Sequence, residues 1–341
     1  MPAYLQPGLT LWRGGQAATD AVRDLQQDLR ALGYLRQGID GAFGAGTEDA
    51  VRALQFDLLH NDGAGPDGRA PVAVRDFNVD GASAAVTAID GVFTQPMARC
   101  VLRLLAHPGV ARLPNSAQPG ADNAQVLQTL LSQPATTVPM PFMLGILQQE
   151  SGGCHFSLPS GASTDSFITV GLDRNGPADA ITSRGYGVGQ YTLFHHPPRS
   201  DEVQDFMADP VRNVVKAQAE LREKFDGYVL GPADRADDRI AEHPVLPLRM
   251  CKHPASDPLF LKDCRNCARA APRLHITEGT PLYAGSPDAW QPTRYYPSVN
   301  YVDVPARAAF ECDWPYAVRR YNGSGVNSYH YQARVLLHVA A

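Results

Sequence analysis

The sequence is short of charge. Asp, Glu, Lys and Arg make up 19% of its 341 residues, below the roughly 25% usual for a soluble domain. Thirty Lys and Arg stand against 35 Asp and Glu, for a formal net charge of −5. That balance argues against a nucleic-acid partner, which needs a basic face. No apolar run approaches the roughly 18 residues that span a bilayer, so no membrane span is expected. Met1 to Trp12 lacks a basic segment followed by an apolar one, so no secretory signal is expected, and a target in the cell wall would need another delivery route. H-E-x-x-H is absent, and His155, His195, His196, His253 and His275 share no helical spacing, which counts against a zinc amidase or peptidase. No cofactor is expected.

What is present bounds the architecture. The length suits two domains, or one with large insertions. With 44% hydrophobic residues a core can be buried, while 30 glycines and 28 prolines argue for many loops rather than long helices. The six cysteines are Cys100, Cys154, Cys251, Cys264, Cys267 and Cys312. Their even count fits disulfides formed in an oxidising space. Cys251, His253, Cys264 and Cys267 could instead form a Cys3His zinc site, because Cys264 and Cys267 have C-x2-C spacing. A third reading is that they pack a surface insertion. None of the three gives them chemistry.

Near the N-terminus, Val22, Leu25, Leu29 and Leu32 repeat at helical spacing over 20–33. Thr19 or Asp20 is the expected cap, and Gly33 the stop. A turn-rich segment follows, Gly38-Ile39-Asp40-Gly41-Ala42-Phe43-Gly44, then a second helix from Thr47 with Val51, Leu54 and Leu58 on its apolar face. Ala88-Ile89-Asp90-Gly91-Val92-Phe93 repeats the turn, ahead of a helix carrying Val101, Leu102 and Leu105, and residues 60–85 between them read as an inserted loop.

From about 106 to 140 the chain is rich in Pro, Ala, Gln and Asn and reads as a linker with one short helix, Ala124 to Leu131. Proline then opens another helix near 140. Met143, Ile146, Leu147 and Glu150 fall at i, i+3, i+4 and i+7, and Gly152-Gly153 end it. Glu150 therefore stands on the inward stripe at the negative end of the helix dipole. Burial and dipole both oppose ionisation, as a general acid working near neutral pH requires. Read from periodicity alone, a helix-end glutamate without a role is the favoured reading. Phe167 to Asp173 and Ala180 to Ser183 could be paired strands. Asp209-Pro210 opens a helix with Val214, Ala217, Leu221 and Phe225 on one face. Residues 227–310 fit no pattern, and their Trp290, Tyr295, Tyr296 and Tyr301 could line a sugar groove or form a satellite core.

Two resemblances follow from these residues. Val22 to Gln26, Leu32-Gly33-Tyr34, Ile39 to Gly44, Thr47 and Ala50-Val51 resemble the small three-helix peptidoglycan-binding domain. Glu150-Ser151, then Tyr186-Gly187-Val188-Gly189-Gln190-Tyr191, then Ala317 to Gly325 with Tyr321-Asn322, resemble in that order the motifs of the lytic transglycosylase and goose-type lysozyme superfamily. Asp313 and Asn327 are the expected caps of the last two helices. The implied architecture is mainly α: a wall-binding domain over 1–115, a linker over 116–137, and an α+β lysozyme-like domain over 138–341 with a loop-rich insertion at about 227–310.

The resemblance implies Glu150 as general acid, with Ser151, Gln190, Tyr191, Tyr321 and Asn322 along the sugar cleft and Tyr321 orienting the glutamate. Asp165, Asp173 and Asp179 lie where goose-type lysozymes keep helping acids, and Asp173 is the preferred second acid, although a turn-forming aspartate is an equal reading of it. A second carboxylate would give a muramidase. Attack by the substrate's own acetamido group would give a transglycosylase and anhydro products. An inactive wall-binding protein and a chitinase are the rival readings. The expected partner is peptidoglycan, together with an inhibitor or immunity protein plugging the cleft. The expected setting is a monomer delivered to the bacterial periplasm or wall as an antibacterial effector or phage lysis enzyme.

Overall fold

The computed structural model describes residues 1–15, 18–36, 38–64, 72–132, 138–160, 164–170, 176–231, 242 and 250–341. In chain order the elements are α1 (Thr19–Ala31), α2 (Ala45–His60), α3 (Gln95–Ala106), α4 (Pro119–Ser132), α5 (Met140–Ser151), β1 (Thr169–Val170), β2 (Arg184–Tyr186), β3 (Tyr191–Leu193), α6 (Ser200–Glu202), α7 (Pro210–Tyr228), α8 (Cys264–Ala270), β4 (Arg273–Thr277), β5 (Asn300–Pro305), α9 (Trp314–Tyr321) and α10 (Val326–Ala340). The fold is mainly α with two small antiparallel sheets among the described residues, the class that the two resemblances imply. The chain divides into two compact units: Met1–Ala124 with Cys154–Asn213, and Gln125–Gly153 with Val214–Ala341.

In the first unit, Val22, Leu25 and Leu29 of α1 meet Val51, Leu54 and Leu58 of α2 in one core. The third helix, α3, is formed, and it buries Met97, Val101 and Leu104, while Leu102 and Leu105 are only half-buried. The expected cap of α1 is replaced. Ala18 takes the N-cap position with no side-chain bond, and Thr19 instead lies beside Gly41, where a Cβ would come within 2.7 Å of the threonine methyl. Gly41 has φ +79, a conformation that costs glycine nothing.

The two D-G-x-F turns are held by the same device. The Gln26 side-chain oxygen accepts from the Asp40 and Gly41 amides at 3.1 and 2.8 Å, and its NH2 donates to Asp40, Thr47 and the Ala42 carbonyl at 2.9 to 3.0 Å. Gln55 repeats this on the second turn. It accepts from the Asp90 and Gly91 amides at 3.0 and 2.9 Å, and donates to Asp90 at 2.7 Å and to the Val92 carbonyl at 3.0 Å. The repeat therefore extends to V-R-x-L-Q, at Val22 to Gln26 and again at Val51 to Gln55.

Cys154–Asn213, placed by the sequence motifs with the C-terminal domain, packs with the N-terminal helices. Arg30 pairs with Asp165 in a largely buried contact and reaches the Thr169 hydroxyl. Arg52 grips Asp179 through two bonds of 2.8 and 3.0 Å. Arg184, fully buried, donates to the Gly33 and Tyr34 carbonyls, and Ile181 joins the three-helix core. These ties also correct the expected strand pairing. Residues 176–183 run along the helices, with Asp179 held by Arg52. The sheet therefore starts later, as Thr169↔Tyr186 and Val170↔Gly185, and β3 then adds to β2.

In the second unit, Phe142, Met143, Ile146 and Leu147 of α5 and Val214, Ala217, Leu221 and Phe225 of α7 are all buried, as their spacing predicts. Phe225 packs on Trp314 with ring centroids 4.3 Å apart. Asp313 holds the N-cap position of α9, but its carboxylate pairs with Arg307 at 3.2 Å rather than capping. The cap of α10 is Gly325 in place of Asn327. Within 227–310 the described residues form α8 and the β4–β5 hairpin, paired Arg273↔Pro305 through Thr277↔Asn300 with an irregularity between Leu274 and Ile276. Trp290 and Tyr296 are buried, while Tyr295 is exposed. Among the described residues no helix is long and apolar enough to cross a membrane.

Each glutamine latch satisfies two turn amides from a buried side chain. Gln26→Ala and Gln55→Ala are therefore each expected to cost roughly 2–4 kcal/mol, read from urea unfolding of the full chain. A loss below about 0.5 kcal/mol for Gln55→Ala, within the range of ordinary surface substitutions, would show that the second latch is not equivalent to the first.

Candidate active site

The helix carrying Glu150 is set by a glycine. α5 and α10 pack so closely at Gly145 that a Cβ there would lie 3.0 Å from Val335 Cγ1, 3.1 Å from the Val335 carbonyl and 3.2 Å from Val339 Cγ2. One turn further along each helix, in opposite senses, stand Glu150 and Tyr331. The Tyr331 hydroxyl donates to Glu150 Oε1 at 2.6 Å. α5 ends directly afterwards. Gly152 takes φ +65 and its N–H reaches the Gln148 and Leu147 carbonyls, and Gly153 bonds Leu147, the glycine-closed end that the sequence predicts.

Burial pushes the Glu150 carboxyl up from the ordinary 4.5 to about 7. The nearby Glu220 carboxylate adds to the rise, and the Tyr331 hydrogen bond opposes it. Tyr331 is itself driven well above 10 by burial and by Glu150, so it stays a donor wherever the site would work. With Oε1 accepting from Tyr331, the proton of the neutral acid is left on Oε2.

Around this pair the second unit supplies aromatic rings. Tyr321 stacks on Tyr331 at 6.4 Å and 15°. Tyr296 lies flat on His330 at 4.8 Å and 5°, and its phenol is raised to about 12 by burial and by Glu150. His330 is fixed from both sides, by Tyr301 at 2.7 Å and by the Gln291 carbonyl at 3.0 Å. The tyrosine bonded to Glu150 is thus Tyr331, which sequence reasoning missed, with Tyr321 behind it. Ser151 turns its hydroxyl back to the Leu147 carbonyl at 3.2 Å. Asn322 is exposed at the end of α9.

Gln190 and Tyr191 belong to the first unit, in the turn between β2 and β3. Gln190 has φ +51 and donates to the Gly187 carbonyl at 2.7 Å. Tyr191 packs edge-on against Phe206 at 4.8 Å. The loop glycines make room for protein side chains. A Cβ on Gly187 would meet His155 and Asn213 at 2.6 Å. His155 accepts from the Val188 amide at Nδ1 and donates from Nε2 to the Met207 carbonyl, and burial lowers it to about 4. Asn213 accepts from the Gly189 amide at 2.7 Å and donates to the Tyr186 and Phe206 carbonyls. His155 and Asn213 carried no local sequence signal.

Asp173 lies outside the described residues. Asp165 and Asp179, its expected neighbours, are paired with Arg30 and Arg52. All six cysteines are thiols, so the pairing their even count suggests is not formed in this structure. No His, Cys, Asp or Glu group among the described residues has the geometry to hold a metal. His253 faces Asp257 and Asp263 instead, and the Cys251 sulfur accepts from the Leu261 amide at 3.4 Å.

The α1–turn–α2 arrangement, with its glutamine-latched D-G-x-F loop, forms a small helical module. Residues 18–58 match the family described as Putative peptidoglycan binding domain. Comparison with curated proteins and with solved structures finds no match for the chain.

The causes at Glu150 act with opposite signs and can be separated. Tyr331→Phe removes a bond that favours the carboxylate, so the Glu150 titration should move above about 7. Glu220→Gln removes a like charge and should move it below. A carbon-detected NMR titration of the Glu150 carboxyl reads both, and shifts of the same sign would refute the assignment.

Proposed function

We propose that this chain binds peptidoglycan through its N-terminal module and cleaves the glycan strand with Glu150 as general acid. The observation carrying the reading is a glutamic acid kept protonated to about pH 7, with its orientation fixed by Tyr331, in a chain that also holds a match to a peptidoglycan-binding family. Glycoside cleavage requires a proton delivered to the departing oxygen as positive charge develops on the sugar ring. Glu150 Oε2 would supply it. Glu220 lies near enough to disfavour ionisation, which keeps the proton on the acid until substrate takes it.

In this reading Asp173 is the candidate to activate water, giving a muramidase that cuts the β-1,4 bond between N-acetylmuramic acid and N-acetylglucosamine. If the substrate's acetamido group attacks instead, the products are 1,6-anhydro sugars. Ser151, Gln190, Tyr191, Tyr321 and Asn322 are the proposed substrate contacts. The proposed setting is the bacterial wall, reached by an effector or a lysis enzyme, with an inhibitor protein as a further partner. A second reading, a wall-binding protein without catalysis, is favoured by the family match covering the binding module alone.

Glu150→Gln keeps the Tyr331 bond but has no proton to give, so release of fragments from purified sacculi should fall at least about 100-fold. An unchanged rate would leave the non-catalytic reading. Mass spectrometry of the products separates reducing from anhydro ends. In the wild type the rate should decline as pH rises through about 7, because the donor is lost when Glu150 ionises.

A further inference from the structure

The second unit holds a cavity of about 660 Å³ between the turn that follows β4 and the start of α10. Residues 329, 330 and 331 of α10 point about 100° apart from one another. Tyr331 meets Glu150, His330 meets Tyr296, and Tyr329 lines the cavity, which is therefore a separate site from the Glu150 carboxyl. Its apolar wall is Tyr283, Trp290 and Tyr329. Tyr283 is stacked on Tyr329 at 6.4 Å and remains half-exposed. Its polar rim is Glu278, Asp288 and Gln291, all exposed. Arg319 lies at the base, paired with the buried Glu242 at 3.2 Å, so the cavity carries the two rim carboxylates without a free compensating charge on the base.

We propose that this cavity is a glycan-binding site, taking β-1,4-linked N-acetylhexosamine units of the same strand. The chemistry selects the class. Two rim carboxylates repel phosphate and other anions. A sugar ring has one C–H face that packs on a tyrosine and a periphery of hydroxyl and amide donors, which carboxylates and a glutamine amide accept. The volume lies within the range of small-ligand sites and admits a disaccharide. The inference rests on the proposed peptidoglycan substrate, but it is independent of cleavage at Glu150.

The test is hydroxyl-radical footprinting of the full chain carrying Glu150→Gln, with peptide-free glycan strands prepared from purified sacculi. Strands should protect Leu282 and Tyr283 and leave the exposed Tyr295 unchanged. Asp288→Ala should raise the strand concentration for half-protection about fivefold. Glu278→Gln is the milder second variant, with continued protection of the buried Ile276 of β4 as the check that the hairpin remains folded. Equal labelling of Tyr283 with and without strands would overturn the proposal, as would protection by a divalent cation alone. Residue-level readout keeps binding by the N-terminal module apart. Failure of the cleavage reading would appear separately, as intact strands after incubation with the wild-type chain.

Discussion

The close approach of α5 and α10 at Gly145 is the constraint on which the candidate site depends. Two helices that meet where one of them carries no side chain have a closely fixed register, and register decides which groups face each other one turn away. With Gly145 against Val335 and Val339, the glutamate at the end of α5 meets a tyrosine from the middle of α10. The carboxyl is then both desolvated and oriented. Desolvation sets how strongly it holds its proton, and the hydrogen bond sets which oxygen carries it. A shift from 4.5 to about 7 corresponds to roughly 3 kcal/mol of preference for the neutral form, an upper figure because the side chain keeps some exposed surface. Since the folded chain holds this proton more tightly than the unfolded chain does, the contribution is full below 4.5 and is lost as pH rises through about 7.

The first unit solves a different problem. Each turn pairs only part of its amides within itself, and the preceding helix supplies a glutamine for the Asp and Gly amides, twice. The second copy is separated from its helix by residues 61–85, yet Gln55 reaches Asp90 and Gly91 in the same way that Gln26 reaches Asp40 and Gly41. At its C-terminal end the insertion is pinned, with Asn78 exchanging both its amide groups with the Val86 backbone. It can lengthen the connection without disturbing the latch, because loop length costs little once the ends are held.

Local periodicity made the helices legible. α1, α2, α5 and α7 begin within about two residues of the positions their apolar spacing predicts, and Gly33, Gly41 and Gly152 take the left-handed conformation that their place in the chain requires. The glutamate was legible for the same reason, as part of the α5 stripe. Tyr331 was not. It lies in Tyr329-His330-Tyr331, three ring residues in a row, and their partners depend on helix register rather than on spacing. The allegiance of Cys154–Asn213 was equally hidden. Arg30 and Asp165 are 135 positions apart, Arg52 and Asp179 are 127, and Arg184 and Gly33 are 151. No periodicity or turn rule relates residues at that separation.

The glycine-rich loop shows how a motif can be read correctly in type and differently in cause. Glycine at 187 suggests a backbone that must come close to something, and it does: His155 and Asn213 fill the space a side chain would take. Because Nε2 of His155 donates to a carbonyl, Nδ1 is left as an acceptor, and the Val188 amide uses it. Protonation of Nδ1 would break that bond, so burial, which holds the ring neutral down to about pH 4, also holds the loop in shape. The loop is thus braced by side chains of its own unit. Gln190, at its end with φ +51, turns its own side chain back to the Gly187 carbonyl. A short turn closed by its own side chains in this way keeps its shape without needing a partner from outside its unit.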